Sequence, residues 1–188
     1  MPILEDGHGT YIMNFKDLHA VERIERLVKI GVDSLKIEGR TKSLYYVAKT
    51  AQVYRRANDD AVTGRPFNEN LMDELQGLAN RGYSDGFYQP HHTQDHQNYM
   101  DGVSQAHRSR YIGNVKSIND GWTKVEVKNR FSVSDGIEVI HPNGNQVVTL
   151  ESMQTQVITT SNVGSDGGQF VKIPIDTQFN KPLLARLL

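Results

Sequence analysis

Glu38, Gly39, Arg40 and Lys42 stand together between an apolar run, Val32 to Ile37, and a helical pattern that begins near Leu44. One carboxylate and two cations in so short a stretch suit an anionic ligand such as a carboxylate or phosphate. The free N–H groups of a new helix would add to that preference. Gly39 lets the chain turn sharply. On this reading Glu38 is the candidate catalytic acid/base, and Arg40 and Lys42 are the candidate substrate-binding residues. The same letters also fit a solvated ion pair in a loop, since exposed pairs are common and contribute little. A second group lies far downstream. Lys124, Lys128 and Arg130, with Trp122 and Phe131 beside them, could form a basic and aromatic patch for RNA, or simply a solvated strand face.

Other chemistries find less support. His91, His92 and His96 invite a metal reading, but Pro90 and the polar residues around them argue against the helix that would align them, and no HExxH spacing is present. No metal site is expected. The chain has 0 cysteines, which removes disulfides, thiol catalysis and thiolate ligation of iron from its own repertoire. There is no phosphate-binding P-loop, dinucleotide fingerprint or serine-nucleophile elbow. With 21 basic and 22 acidic residues the net charge is −1, so any contact with RNA must come from a local patch. No run of about 18 apolar residues and no charged-then-apolar leader occurs, and a soluble cytoplasmic protein without a membrane partner is expected.

The elements that must position these residues follow from the hydrophobic spacing. Thr10 to Phe15 is rich in β-formers. Asn14 to Asp17 can cap a helix carrying Leu18, Val21, Leu27 and Val28 on one face, which Gly31 would stop. Val32 to Ile37 reads as a strand. Thr41 or Ser43 can cap a second helix with Leu44, Val47, Ala48, Ala51, Tyr54 and Ala61 at helical spacing, ended by Thr63-Gly-Arg-Pro66. A third helix spans Asn68 to Ala79, with Leu71, Leu75 and Leu78 inside. This βαβα rhythm predicts parallel strands covered by helices, with ligands at the strands' carboxyl ends. After the polar stretch from Arg81 to Arg110 the pattern changes to short strands: Tyr111 to Ile118, Thr123 to Val127, Ile137 to Ile140, Gln146 to Leu150 and Phe170 to Ile175. Asn119-Asp-Gly121 and Asn143-Gly144 mark hairpins. The fold class is therefore an α/β part followed by a small all-β barrel or sandwich.

Extended motifs then point to a family. Glu5-Asp6, Gly9 to Asn14, Lys16-Asp-Leu18, Gly31 to Arg40, Lys42-Ser43 and Tyr45 to Ala48, followed by Val127 to Val133, Asp135-Gly136 and Glu138-Val139, closely resemble peptidase family U32, the collagenase-like proteins. The pattern through Arg56 and Leu78 to Tyr83 is most similar to the branch that hydroxylates the wobble uridine of tRNA. The resemblance implies a TIM-like catalytic barrel followed by a small β-barrel, with tRNA as partner. Residues 1–82 would be the last strand–helix units of that barrel, 83–109 a linker and 110–188 the β-barrel domain.

The chain departs from the family in lacking the cysteine-bearing signature. The expectation is a C-terminal portion, inactive alone, whose partner is the missing N-terminal part of the same protein. An iron–sulfur cluster in the intact protein would use upstream cysteines. His19 stands where many members have cysteine, and histidine is able to ligate iron. Left alone, the N-terminal half is expected to pack on the β-domain, pair with a second copy as a homo-oligomer, or be partly mobile. The alternatives are a collagenase-like peptidase fragment and a stand-alone RNA- or protein-binding module.

Overall fold

The computed structural model describes residues 3–6, 9–12, 14–78, 83–84, 88, 97–98, 109–155, 162–163, 169–175 and 182–188. His91, His92 and His96 lie outside them. The chain divides into two compact units, Met1–His107 and Arg108–Leu188. No helix among the described residues is long and apolar enough to cross a membrane.

In the first unit, β1 (Ile3–Asp6) and β2 (Gly9–Ile12) form an antiparallel hairpin. Next come two short strands, β3 (Asn14–Phe15) and β4 (Asp17–Leu18). Here the structure corrects the sequence reading, because Asp17 and Leu18 do not begin a helix. They pair in parallel with β5 (Tyr83–Ser84), and the His19 N–H extends the ladder to the Ser84 carbonyl at 2.9 Å. Leu18 is consequently 63% exposed rather than inside. The backbone of β3 pairs with β6 (Gln97–Asn98).

The first helix enters through a 3₁₀ turn at Val21–Arg23 and continues as α1 (Ile24–Lys29), with Val21 and Ile24 buried. It ends where Gly31 was expected to end it. Gly31 has φ +81°, its N–H bonds the Val28 carbonyl, and the Val32 N–H bonds the Leu27 carbonyl, which together make a Schellman motif.

The run 32–39 forms no helix and pairs with no strand among the described residues. A strand is defined by its hydrogen-bonded neighbour. The parallel neighbour that the βαβ rhythm calls for is not found among the described residues; the parallel pair that is present joins β4 to β5.

Helix α2 (Leu44–Val62) starts at Ser43, whose Oγ accepts the Tyr46 N–H at 3.2 Å. Its length matches the sequence reading but its phase does not. The buried stripe is Tyr45, Lys49, Thr50, Val53 and Ala57, whereas Leu44 is 61% exposed. Two polar residues in the stripe disguised it. Lys49 is admitted because Glu74 of α3 (Asn70–Gln76) faces it at 3.3 Å, and Glu74 also accepts from Arg56. Leu71, Leu75 and Leu78 close this small core, as their spacing indicated.

The second unit is built on one antiparallel six-stranded sheet. Its strands are β7 (Ser109–Asn119), β8 (Trp122–Val127), β10 (Gly136–Ile140), β11 (Gln146–Thr149), β13 (Phe170–Ile173) and β14 (Leu183–Leu187), in the order β11-β10-β14-β7-β8-β13. A separate pair joins β9 (Phe131–Ser132) to β12 (Asn162–Val163). The β7–β8 hairpin turns on Asp120 and Gly121, with φ of 50° and 77°, the two positive values that a type I′ turn requires. Strand β14 sits mid-sheet although Leu-Leu-Ala-Arg-Leu carries no alternation by which to recognise it. Alternate residues of the other strands point into one core that includes Ile112, Val125, Val127, Phe131, Ile137, Val139, Val171 and Ile173, all at most 1% exposed.

Candidate functional site

The corner at Glu38 to Lys42 is built by the end of the run 32–39 and the start of α2. Glu38 pairs with Lys36, two residues earlier, at 3.4 Å, and both side chains are mostly exposed. The chain then turns, with the Lys42 N–H bonding the Gly39 carbonyl at 3.0 Å. A Cβ on Gly39 would lie 2.7 Å from Cγ2 of Val47, so the missing side chain lets the corner dock on α2. Arg40 points to solvent, with no ion pair among the described residues.

Lys42 turns the other way. Its Nζ lies 2.6 Å from Asp17 Oδ2, with about a fifth or less of each side chain exposed. The three charges expected to act together are thus divided. Glu38 pairs with Lys36, and the partner of Lys42 is Asp17, delivered by β4 from 25 positions earlier in the chain.

Asp17 sits in a half-buried polar cluster. The Tyr46 hydroxyl donates to the same Oδ2 at 3.4 Å, and the Lys42 ammonium lies 4.6 Å above the Tyr46 ring. Burial first, then Tyr83 and the Asp17 carboxylate, push the Tyr46 phenol well above its ordinary value. It remains a hydrogen-bond donor at neutral pH. Beneath it the His19 ring tilts against Tyr83 at 5.1 Å, and the Tyr83 hydroxyl donates to the Leu75 carbonyl at 2.6 Å. The Ala20 N–H donates to the Tyr54 hydroxyl at 3.0 Å.

A carboxylate held between an ammonium and a phenol is pre-organised. Lys42 has three donor hydrogens and gives one to Asp17, so it can still donate to an anion or carbonyl. Sequence reasoning missed Asp17, read as part of a helix cap, and gave Tyr46 no role in the site. The signal available was the Lys-Asp-Leu run directly before a histidine, a polar cluster of residues able to pair with charges elsewhere in the chain. As for iron, the chain has no cysteine, and no group of three or more His, Asp or Glu converges among the described residues.

In the second unit, Lys124 lies on the outward side of β8 with its Nζ 4.8 Å from the centre of the Phe170 ring. Lys128 and Lys116 both hold Glu126, each at 2.7 Å. The hydrogen bonds from Lys116 and then Lys128 pull the Glu126 carboxyl down to about 2. Arg130 is exposed in the turn before β9. Phe131 is a correction: at 0% exposure it belongs to the core, because β9 turns that side chain inward, and it cannot stack on a base.

A helical unit with a parallel strand pair and a half-buried polar corner, followed by an antiparallel β unit, defines a two-part chain of α/β and all-β character. The family model of peptidase family U32 matches residues 3–98, and that of the U32 C-terminal domain matches residues 107–186. The chain belongs to peptidase family U32. It is 48% identical over 99% of its length to tRNA hydroxylation protein P of Escherichia coli, and 46% identical over 100% to the protein of the same name from Haemophilus influenzae. A more distant relative, 24% identical over 90% of this chain and 48% of its own length, is a collagenase of Porphyromonas gingivalis. The chain spans 42% of the length of each of the first two relatives.

Proposed function

We propose that this chain acts as part of a longer cytoplasmic protein that hydroxylates tRNA, the first unit contributing to the catalytic barrel and the second to RNA contacts or to bracing that barrel. The observation that carries this reading is the 48% identity over nearly the whole chain to tRNA hydroxylation protein P. The parallel β4–β5 pair, and an apolar run 32–39 that pairs with no strand among the described residues, fit the closing strand–helix units of a TIM-like barrel. On this reading Arg40 offers an exposed cation and Lys42 an oriented one to an anionic ligand, with Glu38 as the exposed acid/base at the same corner. Any iron–sulfur cluster would be held by cysteines elsewhere in the longer protein.

Mass spectrometry of tRNA nucleosides from cells carrying variants of the full-length protein tests this. Arg40→Ala and Lys42→Ala should each lower hydroxylated uridine at least tenfold, and undiminished hydroxylation in both would overturn the assignment of the corner. The likeness to a collagenase supports a second reading, peptide hydrolysis. Digestion of denatured collagen by the full-length protein, with tRNA hydroxylation unaffected by its loss, would favour that reading instead.

A further inference from the structure

The register of the second unit places residues together that are far apart in the chain. On β8 the inward Thr123, Val125 and Val127 are fully buried, which leaves Trp122, Lys124 and Glu126 on the outward side. On β13 the inward Val171 and Ile173 are buried, which leaves Phe170 and Lys172 outward. Lys124 lies directly opposite Lys172 on one side and Ser117 of β7 on the other, and Gln154 bridges to Lys172 beyond.

Like charges directly opposite each other on adjacent strands are destabilising unless something between them is negative. Glu126 does not serve, since Lys116 and Lys128 hold its carboxylate. Neither Lys124 nor Lys172 has an ion-pair partner among the described residues. The Phe170 ring fixes the Lys124 ammonium at 4.8 Å instead. Trp122, half-buried, stands two residues along the same face.

We propose that the outward face of β7, β8 and β13 binds a single-stranded segment of RNA, with Lys124 and Lys172 on backbone phosphates and Trp122 beneath a base. This rests on the reading that the chain works on tRNA. A row of cations beside an aromatic platform on a sheet suits a strand whose bases are free to stack, whereas a duplex keeps its bases closed to a side chain lying in a sheet face. An acidic peptide would use the lysines and leave the indole idle.

The full chain can be titrated with an unstructured RNA oligonucleotide and with an RNA duplex of equal length at several salt concentrations. The chain has 1 tryptophan, so indole fluorescence reports on Trp122 alone. Single-stranded RNA should quench it and the duplex should not. Lys124→Gln and Lys172→Gln should each weaken binding and reduce the slope of log affinity against log salt by about 0.7, the share of one phosphate contact. Lys29→Gln, in the other unit, should change neither.

Binding without quenching, and with both lysine variants unaltered, would overturn the face and leave the tRNA reading standing. Failure of the chain to bind either RNA would overturn the face as well, and hydroxylation by the full-length protein would still decide the tRNA reading separately. A Trp122 signal that follows protein concentration instead of RNA would assign the face to a second copy and overturn the proposal.

Discussion

Asp17 accepts from two donors, Lys42 and Tyr46, and gains its place only because β4 pairs with β5. Asp17→Asn should therefore weaken two hydrogen bonds at once, lowering stability by about 1–2 kcal/mol in urea unfolding. A stability unchanged by the substitution would show that neither bond contributes. Glu74 offers a pH test. Burial alone would raise its carboxyl, but the hydrogen bond from Arg56 and the charges of Lys49 and Arg56 outweigh burial and hold it below the usual range. A carboxyl whose folded value is lowered stabilises fully above the unfolded value and stops doing so as pH falls through the folded one. The wild type should exceed Glu74→Gln by about 1–3 kcal/mol at neutral pH, and the gap should close as the pH falls through and below the ordinary glutamate range. A gap independent of pH would mean that the loss is one of packing. Lys42 was legible in the sequence as a cation at a helix start, but its partner was not, since nothing local links position 42 to position 17. Phe131 was misread because a basic flank says nothing about which way a two-residue strand turns its side chain.

The C-terminal ends of α1 and α2 were legible, because they rest on backbone rules that act within a few residues. Both α1 and α2 close with the same device. Gly64 has φ +73°, its N–H bonds the Ala61 carbonyl, and the Arg65 N–H bonds the Asp60 carbonyl, repeating the pattern around Gly31. A Cβ at either glycine would meet nothing within 4 Å, so substitution tests the backbone conformation alone. Gly31→Ala and Gly64→Ala should each cost about 1–2 kcal/mol, and Asn at either position less, since it tolerates the left-handed region. Chemical denaturation of the four variants measures this, and an alanine cost near zero would show that the turn relaxes. What the elements withheld was phase and partnership. The stripe of α2 runs through Lys49 and Thr50, polar positions that only a facing Glu74 and a packed neighbour make tolerable. Strand β14 has Leu184 and Ala185 fully buried in mid-sheet, yet its pairing with β7 and β10 is a contact between distant segments.

At the scale of the molecule the two units differ in how completely they satisfy themselves. The β unit gathers thirteen apolar residues into a core cluster at most 7% exposed, leaving Val147, Leu187 and Leu188 as its exposed large apolar residues among those described. The first unit leaves Val32, Leu35 and Ile37 about 40% exposed along a run whose backbone pairs with no strand among the described residues. Full burial of each such side chain would contribute roughly 1.5–3 kcal/mol, and an unpaired edge is a template for another strand. If the chain acts within a longer protein, as proposed, that protein should cover this run. Hydrogen exchange should then find the amides of 32–39 exchanging rapidly in the 188-residue chain while those of β7, β8 and β14 stay protected. In the full-length protein the same 32–39 amides should slow by at least a hundredfold, as an interior parallel strand requires. Equal exchange in the two proteins would mean that the run is a surface loop, and would remove the structural argument for placing Glu38 and Arg40 at the rim of a barrel.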